Sequence, residues 1–449
     1  MNHTEKLAHY AANLKYEDIP PDALAEIKRL ILDYVSCAYG GMQTQSGRIA
    51  AEFAREFSEK GKCTVICFGY PSAPYNAAMA NAIMSHSTEM DDTDILAYFH
   101  TAPQTVSAAL SAAEWTNASG KEFLAGVTVG SEIVNRVSEA TNPSLRNRGF
   151  HTTPTAGVFG AGAAAGRVLK LSGEKMISVL GLSGAQASGL MEMYGPSMAK
   201  RFNPGPSARN GVTAALFAER GFTGAETILE GERGFCRAFS DKFDLDLLTK
   251  DLGEGIRLPI EYKPYACARP IHNAIDCAIE IRQKHNPDLK KVASIFMKRH
   301  PEWGTRYHNI KEPRTYHEAQ MSLPFSVAVA LVTGKAFLDQ YSDENLKNPL
   351  IKGLAKMTQI EDDPSLPRGV SCRMIMEMKD GTKMEAQVDY PKGSIQNPMN
   401  EAERVAKFEG LSHKVLAKTQ RDKIIQKIAE LEKAKSIKEF TSLLTSKKA

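Results

Sequence analysis

The chain has 449 residues, 43% hydrophobic and 24% charged, ordinary proportions for a soluble globular protein with one large or two to three smaller domains. Net charge is +4, but the lysines and arginines are in excess only in residues 401–449, on a helix-like stretch without interleaved aromatics, which argues against nucleic acid as a partner. No apolar run approaches the ~20 residues of a bilayer span, and the N-terminal MNHTEKLAHYAANLKY has neither an apolar signal core nor an Arg-rich transit character, so a cytoplasmic protein with no membrane partner is expected.

The first 250 residues read as successive helices. From Asp22 to Tyr39 the apolar residues Leu24, Ile27, Leu30, Ile31, Tyr34 and Val35 form one stripe, and Gly40-Gly41 is expected to stop it. KCTVICF reads as a strand that places Cys63 and Cys67 on one face. With seven scattered cysteines and no CxxC, buried reduced thiols are expected rather than a metal pair. Helical patterning continues over 77–87, 105–115, 123–140, 155–169, 175–190 and 208–220. Many of these faces are built of Ala, Gly and Ser, which lets helices approach closely. Gly160, Gly162 and Gly166 imitate a dinucleotide fingerprint, but no βαβ unit surrounds them, so close helix packing is the better reading.

Near residue 255 the pattern changes. IRLPIEY and VASIFMKRH read as strands, 269–283 and 317–331 as helices. CRMIMEM and TKMEAQV flank Asp380-Gly381 as a β-hairpin with an expected type I′ turn. Helices return over 400–409, 412–432 and 437–444. The fold class is therefore mostly α: a large helical domain formed by 1–264 and 396–449, with an α/β lid inserted at 265–395.

Three segments carry chemistry. HSTEMDDTDILAYFH, residues 86–100, holds Glu89, Asp91, Asp92, Thr93, Asp94 and two histidines. It reads as a divalent-metal site, an acid/base centre or a capped polar loop. Against metal, it lacks the central Gly of a calcium loop and any HExxH. Lys200 and Arg201 lead a Pro/Gly-rich loop into a helix, where cations and free N–H groups together attract an anion. EYKPYACARPIHNAID places Lys263 at the expected domain junction, a common position for a ligand cleft, with His272 nine residues on. His151, at a helix start after RNRGF, is by itself more often structural than catalytic.

Taken in order, HSTEMDDTD…His100, GFH151, the Lys200 loop with GVTAALFAERGFTGAETILEGERGF, KPYACARPIHNAID and MSLPFSVAVAL resemble the MmgE/PrpD family over most of the chain. The resemblance implies a helical domain with an α/β lid, a homodimer, and no metal or organic cofactor. It implies 2-methylcitrate dehydratase, cis-aconitate decarboxylase or iminodisuccinate epimerase chemistry on a small polycarboxylate. By motif position it assigns Glu89, Thr93, His100, His151, Lys200 and Lys263 to catalysis, and beside that set Arg201, His272 and Phe325 are expected to contact the substrate. Glu89 stands where the family usually has Asp, and Phe325 where it often has Tyr. Such reactions leave electrons on a carbon beside a carboxylate. Lys200 and Lys263 suit that charge, and His100 and His151 suit the proton movement. Dehydration is the first expectation, decarboxylation or epimerisation the alternatives. Outside this class stand a non-catalytic carboxylate-binding protein and a metal-dependent hydrolase.

Overall fold

The computed structural model describes residues 1–57, 61–193, 195–301, 308–369 and 371–446. The protein is mostly α-helical, with two separate hydrophobic cores. The first core belongs to the helices. Thr152–Val168 is buried along its whole length among Gly120–Thr141, Pro204–Glu219 and Ala102–Thr116. The small residues make this possible: a Cβ on Gly160 would lie 2.6 Å from the Gly130 carbonyl, and one on Gly162 would lie 2.4 Å from Ser183 Oγ. The glycine run is thus a packing surface within one helix, as its sequence context indicates.

The second core lies around a four-stranded sheet. Its order is Thr358–Asp362, Val292–Arg299, Cys372–Met378, Lys383–Val388, with the first pair parallel and the others antiparallel. Helices His272–His285, Leu323–Thr333 and Pro349–Met357 pack with it. The chain then returns to the helices, where Glu401–Ser412 packs on Pro21–Met42. Lys407 on that returning helix donates to Asp33 at 2.5 Å and to the Met90 carbonyl at 2.5 Å, so the C-terminal segment holds the 87–101 loop from beneath.

Several local expectations differ from the structure. The Pro21–Met42 helix runs through Gly40 and Gly41 instead of stopping. A Cβ on Gly41 would sit 1.8 Å from the Met84 carbonyl oxygen, so the glycine permits a helix crossing. IRLPIEY is not a strand; it joins no ladder, and its long-range backbone bonds are the Glu261–Thr93 exchange, both at 2.9 Å, and Tyr262 N to the Gly393 carbonyl at 3.0 Å. KCTVICF contributes only the two-residue strand Cys63–Thr64, after which the Ile66 and Cys67 amides turn to Asn81 and the Leu444 carbonyl. All seven cysteines are free and buried. The hairpin is present, but among its turn residues only Gly381 has a positive φ, so the turn is not type I′. It closes by bonds from Gly381 N to Met378 O and from Met378 N to Thr382 O, a longer loop with glycine in the left-handed position. Among the described residues no helix is long and apolar enough to cross a membrane.

Gly41→Ala is expected to lower unfolding free energy by about 1–3 kcal/mol or more, because backbone must move to admit the methyl group. Gly353→Ala, in the Pro349–Met357 helix with nothing within 4 Å of its Cβ, is expected to be neutral or to stabilise by up to ~1 kcal/mol. Denaturant titration of both variants reads the contrast.

Candidate active site

The 87–101 loop is organised by its acids. Asp92 accepts from the Thr101 and Ala102 amides at 2.7 and 3.0 Å, capping the helix Ala102–Thr116. Asp94 accepts from the Leu96 and Ala97 amides and from Asn135 Nδ2, each at 2.9 Å. Burial raises their carboxyls, Asp92 to about 7 with the Asp91 charge adding to the push, and Asp94 to about 6. These two acids therefore shape the loop, while Glu89 and Asp91 meet cations and histidines.

Asp91 Oδ2 lies 2.7 Å from His86 Nδ1 and 3.1 Å from His100 Nδ1, and His100 Nδ1 is also 2.6 Å from the Asp92 carbonyl. Burial alone would raise the Asp91 carboxyl, but His100, His86 and Lys263 together hold it well below the usual carboxylate range. An ionised Asp91 and a carbonyl both only accept, so His100 carries its proton on Nδ1 and offers the Nε2 lone pair. Burial lowers the His100 pKa, against the pull of Asp91, and takes His86 down to about 3.

Glu89 is the charge centre. It is a non-glycine residue in the left-handed region, with φ 59°, a placement found where surrounding contacts over-determine the backbone. Lys200 Nζ donates to both its carboxylate oxygens at 2.5 and 2.7 Å, and Arg201 Nη1 donates to Oε2. Lys263 Nζ donates to the Glu89 carbonyl at 3.2 Å and lies 3.6 Å from Oε1. Burial opposes ionisation of Glu89, but Arg201, Lys200 and Lys263 hold its carboxyl well below the ordinary range. Burial in turn lowers Lys200 to about 8, against the pull of Glu89 and with Arg201 and Lys263 adding repulsion.

His151 is the residue immediately before the Thr152–Val168 helix. Asn203 Nδ2, which can only donate, lies 2.9 Å from its Nδ1. Burial, reinforced by the positive charge of Lys200, keeps this ring neutral, well below its usual pKa. With Nδ1 accepting, the proton sits on Nε2. His100 and His151 thus present opposite tautomers, one with a free lone pair at Nε2 and one with an N–H there.

Glu89, Thr93, His100, His151, Lys200 and Lys263 all line one cavity between the helical part and the sheet-containing part. The three residues expected to contact substrate do not line it. Arg201 is spent on Glu89 and on Gln320 Oε1 at 2.7 Å. His272 is fully buried beneath Arg269. Phe325 packs in the second core against Tyr341. Arg146, Arg269 and His308 line the cavity without having been singled out from the sequence. Arg146 lies over the Tyr98 ring, 5.5 Å from its centroid, five residues before His151. Arg269 stands inside the KPYACARPIH segment, where a cation between two named residues was the available signal. His308 belongs to no motif and reaches the wall only through tertiary packing, with Nδ1 3.0 Å from the Met321 carbonyl.

His86, Asp91 and His100 also bring donor atoms within 4.8 Å of one another, close enough to hold a metal ion. The same donors already form the hydrogen-bonded His–Asp–His chain, with Lys263 4.0 Å from Asp91 Oδ1. A cation there would have to displace those contacts against a resident positive charge.

Residues 5–248 match the MmgE/PrpD N-terminal domain, and residues 265–432 match the MmgE/PrpD C-terminal domain. A cis-aconitate decarboxylase of Aspergillus terreus is 29% identical over 98% of this chain and 95% of its own length. A cis-aconitate decarboxylase-like protein, oryM, of Aspergillus oryzae is 28% identical over 99% and 97%, and the Homo sapiens cis-aconitate decarboxylase is 24% identical over 98% and 94%. With both domains matched in order across nearly the whole chain, the protein belongs to the MmgE/PrpD family.

Proposed function

We propose that the protein is a lyase that releases CO2 from a small, cis-aconitate-like tricarboxylate by proton transfer next to a carboxylate. The observation that carries this reading is the convergence of two lysines and two histidines from four distant segments on one cavity. The relatives named as cis-aconitate decarboxylases support the choice of CO2 as leaving group.

In this reading Lys200 and Lys263 hold substrate carboxylates. When the C–CO2 bond breaks, its electron pair moves through the adjacent double bond onto a carbon beside a second carboxylate. The lysine charges stabilise that enolate-like species where it forms. His151, with its proton on Nε2, supplies the proton that completes the new C–H bond, and the imidazolate so formed regains a proton from water before the next turnover. Thr93 and Glu89 orient the substrate and the ammonium groups. No metal or organic cofactor is required by this scheme. The helical body is taken as 1–264 with 396–449, and the lid as 265–395, an assignment supported by the two separate cores. The active form is taken as a cytoplasmic homodimer.

A second reading, dehydration of a hydroxy-tricarboxylate, is favoured by one specific feature. The opposed tautomers of His100 and His151 provide one acceptor for an α-proton and one donor for a departing hydroxyl.

Proton NMR in heavy water of cis-aconitate, 2-methylcitrate, citrate and iminodisuccinate, each with the protein, is expected to show decarboxylation of cis-aconitate with deuterium on the new C–H. Selective loss of water from a hydroxy acid would favour the second reading, and no conversion or exchange would favour a carboxylate-binding role. His151→Ala is expected to lower turnover at least ~100-fold while leaving the melting temperature close to that of the wild type. Treatment with EDTA followed by metal analysis is expected to leave turnover unchanged and find no stoichiometric ion.

The pH dependence follows from Lys200. Its pKa of about 8 means that it is charged below that pH and neutral above it. Affinity for a fully ionised tricarboxylate, measured by calorimetry, should therefore fall as pH rises through about 8. Lys200→Gln should bind more weakly and lose this pH-dependent limb.

A further inference from the structure

Arg269 is 4% exposed, yet it forms part of the cavity wall beside Lys263 and Ala268. Its guanidinium is held on two sides. Nε donates to Glu261 Oε2 at 2.8 Å, and Nη1 donates to the Lys392 carbonyl at 2.9 Å and to His272 Nδ1 at 3.1 Å. Arginine cannot accept, so His272 Nδ1 is unprotonated, and its Nε2 proton goes to the Cys267 carbonyl at 3.2 Å. The neutral His272 is thus a bracket for Arg269. Glu261 is itself fixed by exchanging both backbone bonds with Thr93. Three of the five N–H groups are accounted for, while Nη2 is buried with no hydrogen-bond partner. A buried guanidinium nitrogen with two unspent donors, on a residue of the wall of a cation-rich cavity, has hydrogen-bonding capacity that an anionic ligand would satisfy.

We propose that Arg269 is a specificity residue of this cavity: its Nη2 donors take a substrate carboxylate that is not engaged in the chemistry, and so set the preference for tricarboxylic over dicarboxylic acids. This rests on the polycarboxylate reading above and names the residue that selects within it. Lys200 and Lys263 already share Glu89, whereas Arg269 has Nη2 donors that no protein group occupies.

The test compares equilibrium binding of two unreactive acids, tricarballylate and glutarate, which differ by the central carboxylate. Arg269→Lys keeps a cation beside Glu261 but removes Nη2, and Arg269→Gln removes the charge as well. Both variants are expected to weaken tricarballylate by ~10-fold or more, the scale of a charge-assisted hydrogen bond. Glutarate affinity should change by less than about 3-fold. Equal weakening of both ligands, or of neither, would overturn the assignment of Arg269 while leaving the polycarboxylate reading intact. Failure of the wild-type protein to bind either acid would remove that reading and this inference together. If neither variant folds, a crystal structure of the wild-type protein with tricarballylate decides: a carboxylate oxygen within hydrogen-bond distance of Nη2 is expected, and an Nη2 that meets no ligand oxygen overturns the proposal.

Discussion

The site depends on one buried carboxylate. Glu89 is nearly fully enclosed, and burying a lone carboxylate is prohibitively costly unless cations meet it. Those cations come from two other parts of the chain: Lys200 and Arg201 from the short helix Ala199–Phe202 just before the Pro204–Glu219 helix, and Lys263 from the junction with the sheet-containing part. Gln320 adds a neutral tie, accepting from Arg201 and donating to the Thr88 and Ala266 carbonyls at 2.8 and 2.7 Å. Satisfying one acid therefore fixes the mutual placement of four segments. Removal of one partner from such a buried cluster typically costs about 3–5 kcal/mol, so the arrangement is held far more firmly than surface ion pairs hold a loop.

The same clustering sets the electrostatics of the cavity. Lys200, Arg201 and Lys263 surround Glu89, Lys263 also stands 4.0 Å from the ionised Asp91, and Arg269, paired with Glu261, belongs to the same cavity wall. The imidazoles are tuned differently. Burial keeps both His100 and His151 neutral near pH 7, so their roles are set by tautomer rather than by charge. Asp91 and the Asp92 carbonyl fix one tautomer, and Asn203 fixes the other. A neutral proton donor and a neutral proton acceptor beside anchored ammonium groups suit reactions in which negative charge develops on carbon, because the stabilising charges are in place before the bond breaks.

Much of the fold was legible because helix periodicity and turn chemistry are local. The 3.6-residue stripe of the Pro21–Met42 helix and the two strands flanking Asp380-Gly381 needed no tertiary knowledge. Where the local reading fell short, a long-range contact decided. Gly40-Gly41 reads as a stop until the Met84 carbonyl is seen against it, and IRLPIEY reads as a strand until it is seen to make only an isolated bridge, Glu261 with Thr93, and no ladder. The six residues assigned to catalysis from motif order do line one cavity. Arg201, His272 and Phe325 sit behind it, because residues adjacent in a motif can face the ligand or brace the residue that does. Arg269, Arg146 and His308 reach the wall through tertiary packing, which leaves no periodicity to read.

The central claim is that the two cavity histidines are neutral and oppositely protonated. Nitrogen NMR of the protein labelled with 15N-histidine, with His100→Gln and His151→Gln variants for assignment, measures this directly at pH 7. The expected spectrum shows His100 protonated on Nδ1 and His151 protonated on Nε2. A His151 ring without its proton on Nε2, or doubly protonated, would contradict the proton donor of the proposed chemistry, and matching tautomers would remove the acceptor that the dehydration reading needs.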